Sequence, residues 1–252
     1  MPMNYTAPEQ PARDELHAWQ RRMQQPPSLL NRVARRVQAR LNALLPEKLH
    51  KAITTAIKQM VRGVLFGSEY VTQKPRQQGT LAEREETVRR RIRAYRNTAA
   101  AEGAVTGAGG FLLGLADFPL LLSLKLKLLF DVAALYGYDA RDYSERLYLL
   151  HIFQLAFSSQ HTRNETYQRL ATWETYRHTL PPDVHDFDWR TFQQEYRDYI
   201  DLAKMAQLVP VIGAAVGAVA NYKLLEQLGD TAMNCYRLRW FAQQEPENTL
   251  SS

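Results

Sequence analysis

Apolar residues recur at spacings of three and four along most of this chain, the pattern of helices that bury one face. Residues 1–27 are the first exception. They are rich in Pro, Gln and Arg and read as a flexible arm. From Ser28 the periodicity sets in, with Leu30, Val33, Val37, Leu41 and Leu44 on one face and Arg32, Arg35, Arg36 and Arg40 elsewhere on the same helix. A second helix starts at Pro46, a favoured first helical position, and carries Leu49, Ile53, Ile57, Met60 and Val64. Residues 67–79 read as a loop. Thr80 and Glu83 then stand at the spacing of a capping box, which opens a third helix with Val88, Ile92, Tyr95 and Ala99 on its buried face. Glu83, Glu85 and Glu86 complement the positive end of its dipole, and Arg89, Arg90, Arg91, Arg93 and Arg96 follow towards the negative end.

The pattern changes in mid-chain. Gly103, Gly107, Gly110 and Gly114 fall on one helical stripe, smooth enough for a second backbone to approach closely. After Asp117 and Pro119 comes a run that is apolar on nearly every face apart from Lys125, Lys127 and Asp131, which predicts a helix buried all round. Further helices are expected at 144–160, with Ser144 as its cap, at 163–179, and from Trp189 to about Gln207 after an Asp188 cap. A last unit reaches Phe241. It opens with Gly213 and Gly217, four residues apart with Ala214 and Ala218 beside them, and this second stripe is expected to pack on the first. No segment reads as a strand. The predicted fold is all-α, a single multi-helix domain built round two close-packed Gly/Ala-striped segments.

Composition adds a location. Residues 1–96 hold 19 Lys and Arg against 8 Asp and Glu, whereas the remainder holds 13 against 18, so the net charge of +6 conceals a strongly basic first part. Such a surface suits nucleic acid or an anionic membrane. No zinc pattern, aromatic RNA-binding strand or recognition helix supports nucleic acid, which leaves a membrane surface or a membrane protein as the expected partner. A span needs roughly 20 apolar residues. Residues 104–122 come near that length but include Asp117 and Pro119, so shallow insertion or docking is the expectation, with simple crossing disfavoured. The first residues lack a charged-then-apolar leader pattern, and the single cysteine, Cys235, sits in an apolar helix, where it reads as a small buried hydrophobe. The expected place is the cytoplasmic face of the membrane.

Two blocks carry a family resemblance. EGAVTGAGGFLLGLADFPLLLSLKLKLLFDVAALYGYD at 102–139 and VPVIGAAVGAVANYKLLEQLGDTAMNCYRLRWF at 209–241 resemble the two conserved blocks of the EcsC family. The resemblance spans roughly 80–241. It divides the chain into the arm at 1–27, basic amphipathic helices and a loop at 28–79 packing on the main domain, an EcsC-like helical domain at 80–243, and a polar tail at 244–252. The founding member is encoded beside the ATPase and membrane subunits of an ABC transporter. The resemblance therefore implies an accessory or scaffold role near such a transporter and names no reaction.

Candidate chemistry is sparse. Glu102, Asp117, His151 and Asn221 are polar residues set into apolar helical segments and form the candidate polar site. Glu102 and Asp117 would be about 22 Å apart on a continuous helix, too far for a shared proton. Asp117 reads more simply as a cap for the helix at Pro119, and His151 as a core histidine. Asp183, His185, Asp186 and Asp188 look like a metal loop but lack the glycine and distal glutamate of a calcium site. The glycines follow a helix and not a strand, so they are no dinucleotide fingerprint, and G-x-S-x-G, H-E-x-x-H and P-loop motifs are absent. No metal and no cofactor is expected. A non-enzymatic protein is favoured. The competing expectation is a hydrolase or lipid-binding protein, which would require Glu102, Asp117, His151 and Asn221 to converge in one pocket.

Overall fold

A computed structural model of the chain describes residues 9–26, 47–67, 70–71, 73–108, 118–158, 160–182, 186 and 214–244. Helices and their connections account for them. The elements are α1 (Gln10–Gln24), α2 (Glu47–Phe66), α3 (Leu81–Ala108), α4 (Phe118–Tyr136), α5 (Tyr143–Phe157), α6 (Gln160–Ala171), the single turn α7 (Trp173–Tyr176) with a 3-10 turn at Arg177–Thr179, and α8 (Ala214–Gln244). Among the described residues there is no strand, so the fold is all-α. The expected helices at 28–45 and 189–207 lie outside the described residues.

Long helices α3 and α8 form an antiparallel axis. Glu85 pairs with Arg237 and Arg96 with Glu226, while Ile92 lies against Gly229. A Cβ at Gly229 would stand 2.6 Å from Ile92 Cγ1, so glycine there sets how closely the two backbones approach. The capping box at the head of α3 forms as its spacing predicts. Thr80 N–H donates to Glu83 Oε2 at 3.0 Å, and Glu83 N–H donates to Thr80 Oγ1 at 3.3 Å.

Helix α4 is apolar on nearly every face because it packs against α2, α3 and α8. Leu126, Leu128, Leu129, Val132 and Ala133 are all buried. Its end is a Schellman motif. Tyr138 N–H donates to Ala133 C=O and Gly137 N–H to Ala134 C=O, both at 3.0 Å, with Gly137 at φ +97°. A second residue finishes the stop: Arg84 Nη1 donates to Leu135 C=O at 3.0 Å and to Arg76 C=O at 2.8 Å. Arg146 does the same for α2, donating to the carbonyls of Val64 and Leu65. Leu135, Val64 and Leu65 thus have carbonyls at helix ends met by a guanidinium, where the dipole favours a cation.

Two local expectations differ from the structure. The stretch 1–27, read as a flexible arm, contains α1, which packs on α6 and α8 with Ala12, Leu16 and Trp19 buried. Those residues do recur at spacings of four and three. The stripe is narrow, however, and its polar surroundings hide it until the tertiary partners are known. The other difference is at α5, where the N-cap position is Asp142 and Ser144 lies inside the helix. No helix of the described residues is long and apolar enough to cross a membrane.

Candidate functional site

The candidate polar residues can be located from the register of the helices. From Arg96 opposite Glu226, advancing along α3 is matched by retreating along α8. Glu102 thus falls level with Ala220 and Asn221. Asn221 is buried and its Nδ2 has no hydrogen-bond partner among the described residues, while Glu102 is half-buried. His151 lies elsewhere. On α5, Tyr148 Oη donates to Cys235 C=O at 2.7 Å, and Ala156 C=O accepts from Gln227 Nε2. Those two bonds bracket His151 and set it level with Ala232, about 16 Å along α8 from Asn221 at 1.5 Å per residue. The register therefore sets Glu102 and Asn221 at one level along the paired helices and leaves His151 apart. Asp117 lies outside the described residues, as do Arg32, Arg35, Arg36, Arg40, Gly110, Gly114 and Gly213. Gly103 and Gly107 belong to the last turns of α3, and Gly217 to the first turn of α8.

His151 is held as a neutral core residue. Its Nδ1 bonds Leu147 C=O at 2.8 Å, and its ring meets those of Trp173 and Tyr176 at centroid distances of 5.5 and 5.6 Å. Burial pushes its pKa down to about 4, outweighing the bond to Leu147. An imidazole that resists protonation to this degree is a poor general base.

The strongest electrostatics sit at the other end of α8 and were not singled out from sequence. Arg237, 2% exposed, donates from Nε to Glu85 Oε1 at 2.6 Å and from Nη2 to Glu85 Oε2 at 2.7 Å. The same Nη2 reaches Glu15 Oε2 on α1 at 2.7 Å, and Arg89 Nη2 meets that oxygen at 2.9 Å. Burial tends to raise the pKa of Glu15, but the two guanidinium groups outweigh it and hold the carboxyl below its ordinary value. Two residues on, Arg239 Nη1 donates to Glu145 Oε2 at 2.7 Å, and Tyr236 Oη donates to Glu145 Oε1 at 2.5 Å. The Arg239 guanidinium also lies 3.7 Å from the ring centre of Tyr138 and 4.7 Å from that of Tyr148. Tyr136 joins the two halves, stacked on Tyr236 at 5.2 Å with its hydroxyl donating to Glu85 Oε1 at 3.4 Å.

Each buried carboxylate thus faces a guanidinium and a tyrosine hydroxyl, so the carboxylates of the network are engaged, while Arg239 Nε has only the Glu174 carboxylate at 3.5 Å. Burial raises the Glu145 pKa, against the pull of Arg239 and Tyr236. It also raises the Cys235 thiol well above its ordinary range, which keeps it protonated and inert. Lys125, inside α4, is pushed by burial down to about 8. Among the described residues no group of three or more His, Cys, Asp or Glu side chains could hold a metal ion. The sequence signal for the network was present, as arginines and glutamates interrupting otherwise apolar helical faces in SERLYLL and NCYRLRWF. Helix-dipole complementarity accounted for Glu85 equally well, and only the fold shows what it meets.

The model of the EcsC protein family matches residues 10–241. The chain is 46% identical over 222 residues to Protein EcsC of Bacillus subtilis (strain 168), covering 88% of this chain and 91% of that protein. It is also 34% identical over 143 residues to the uncharacterized protein YdbA of the same organism, covering 57% of this chain and 53% of the relative. No solved structure matches.

Proposed function

The chain belongs to the EcsC protein family, and from that premise we propose that it is a non-enzymatic accessory or scaffold protein working at the cytoplasmic face of a membrane. The observation that carries this reading is a division of its charges. The buried ionised groups on α3, α5 and α8 are consumed by one another. Lys58 and Arg62 on α2 and Arg93 on α3 instead point to solvent and have no acidic partner among the described residues. Phe66, 60% exposed, stands one turn beyond Arg62 on α2. Arg62 and Lys58, one and two turns before an exposed aromatic ring, suit an anionic lipid surface, at about 1 kcal/mol per basic residue near the headgroups. The separation of His151 from Glu102 and Asn221 adds nothing that favours hydrolysis. The partner class implied by the family resemblance is the subunits of an ABC transporter.

Fractionation of cells expressing the chain tests the reading, with pellets washed first in high salt and then in alkaline carbonate. Sedimentation with membranes and release by salt is the expected result, since surface cations are screened. Retention through carbonate would place the glycine segments in the bilayer. Recovery in the soluble fraction alone would sink the proposal. Reversing the charges of Arg32, Arg35, Arg36 and Arg40 together asks whether that segment contributes, and unchanged association would remove it.

A further inference from the structure

A cleft of about 380 Å³ opens between α1, the end of α5, the first turns of α6, and α8. Its charged lining is unlike the paired network elsewhere. Arg163 on α6 is only partly exposed and makes no ion pair or hydrogen bond among the described residues, and burial lowers its pKa with no carboxylate near enough to counter it. Arg22 on α1 and Lys223 on α8 line the same cleft, each without an acidic partner among the described residues. A half-buried guanidinium without an acidic partner loses part of its hydration uncompensated, whereas the buried Arg84, Arg237 and Arg239 meet carbonyls or carboxylates. Three unmatched cations round one cavity make a receptive place for an anion.

The rest of the lining narrows its chemistry. A planar guanidinium fork with two further cations suits the several oxygens of a phosphate better than a single carboxylate. Beyond Lys223, Glu226 and Asp230 follow on α8 at one and two turns. Glu226 is already engaged by Arg96, whereas the Asp230 carboxyl has no hydrogen bond among the described residues. Carboxylates in the same lining disfavour polyphosphates and nucleic acid and favour a ligand that carries a positive group beside its phosphate. Met23 and Leu155 supply an apolar floor for the linking carbons.

We propose that this cleft binds a phosphate ester that also carries an ammonium group, the chemistry of an ethanolamine phosphate. Arg163, Arg22 and Lys223 take the phosphate, and Asp230 takes the ammonium. The site does not depend on the membrane reading, because a soluble ester fills it as well as a lipid headgroup.

Titration calorimetry on the full chain tests this with glycerophosphoethanolamine, glycerol phosphate and inorganic phosphate. The expected result is saturable binding of the ethanolamine ester, at least tenfold tighter than either of the others. Arg163→Gln is expected to weaken the ester tenfold or more while melting at or above the parent temperature, since it removes an unmatched charge. Asp230→Asn is expected to weaken the ester and to strengthen inorganic phosphate. No saturable binding by any of the three would overturn the proposal. So would equal binding of ester and phosphate, an Arg163→Gln protein that binds as the parent does, or an Asp230→Asn effect of the same sign on both ligands. Flotation with phosphatidylcholine vesicles, with and without phosphatidylethanolamine, separates the sources. Arg163-dependent capture by the ethanolamine lipid identifies the headgroup, and binding of the soluble ester alone identifies the free compound. Loss of salt-releasable membrane association with ester binding intact would count against the accessory reading only.

Discussion

Glu145 and Arg239 offer the sharpest test of how this core is held. They are 4% and 8% exposed, their Oε2 and Nη1 are 2.7 Å apart, and Tyr236 supplies the second bond to the carboxylate. Glu145→Leu leaves a guanidinium in an apolar setting with only the more exposed Glu174 carboxylate, 3.5 Å from its Nε, and two tyrosine rings to meet it. Breaking a buried pair costs about 3–5 kcal/mol, and these remaining contacts place this variant near the lower end. Arg239→Met leaves Glu145, whose pKa burial already raises, so it takes up a proton and the protein loses about 2–4 kcal/mol. The double variant Glu145→Leu/Arg239→Met removes both charges together and is expected within about 1 kcal/mol of the parent, because an apolar pair of similar volume avoids both desolvation penalties. The coupling energy is then about 3 kcal/mol or more, far above the scatter for independent sites. Urea unfolding followed by far-ultraviolet circular dichroism and by tryptophan fluorescence, with coincident transitions and unchanged m values, measures it. Single variants that each lose under about 1 kcal/mol, or a double variant equal to the sum of the singles, would refute the argument that this pair is a mutually dependent buried unit.

Three further outcomes follow from the packing. His151 stays neutral when folded but takes a proton when unfolded near its ordinary pKa of about 6.5, so the stability it contributes is complete above that value. As pH falls through this window towards about 4, roughly 3 kcal/mol is lost at 1.36 kcal/mol per unit; His151→Phe should flatten this part of the stability–pH curve, and an unchanged slope would refute the assignment. Trp19→Ala is expected to cost about 3–5 kcal/mol, as for a buried aromatic ring, because the side chain is 4% exposed and meets Tyr167 edge-on at 5.6 Å; a loss under about 1 kcal/mol in urea unfolding would return residues 10–24 to the status of an arm. Gly229→Ala places a methyl against Ile92 and should destabilise by about 1–3 kcal/mol, with a smaller penalty in an Ile92→Ala background, and equal penalties in the two backgrounds would show that Ile92 is not the obstacle.

Charge partition along the chain, a matter of composition alone, suggests a surface partner. The cleft depends on Arg22, Arg163 and Lys223, which lie far apart in sequence on three helices. Nothing in the local pattern of any one of those helices marks its cation as different from an ordinary solvated one.

What the sequence determined by itself was local. Spacing of apolar residues, the Thr80–Glu83 box and the all-round apolar character of the helix after Pro119 each follow from backbone geometry within one or two turns, and the all-α class follows from them. Tertiary structure decided whether a narrow apolar stripe such as Ala12, Leu16 and Trp19 finds a surface to cover. It also decided which charges meet. Glu85 and Arg237 are 152 residues apart, and a carboxylate near a helix N-terminus serves the dipole in any fold. Only the antiparallel register of α3 and α8 turns it towards a buried arginine, and that register comes from side chains meeting across the whole chain, where no local spacing rule reaches.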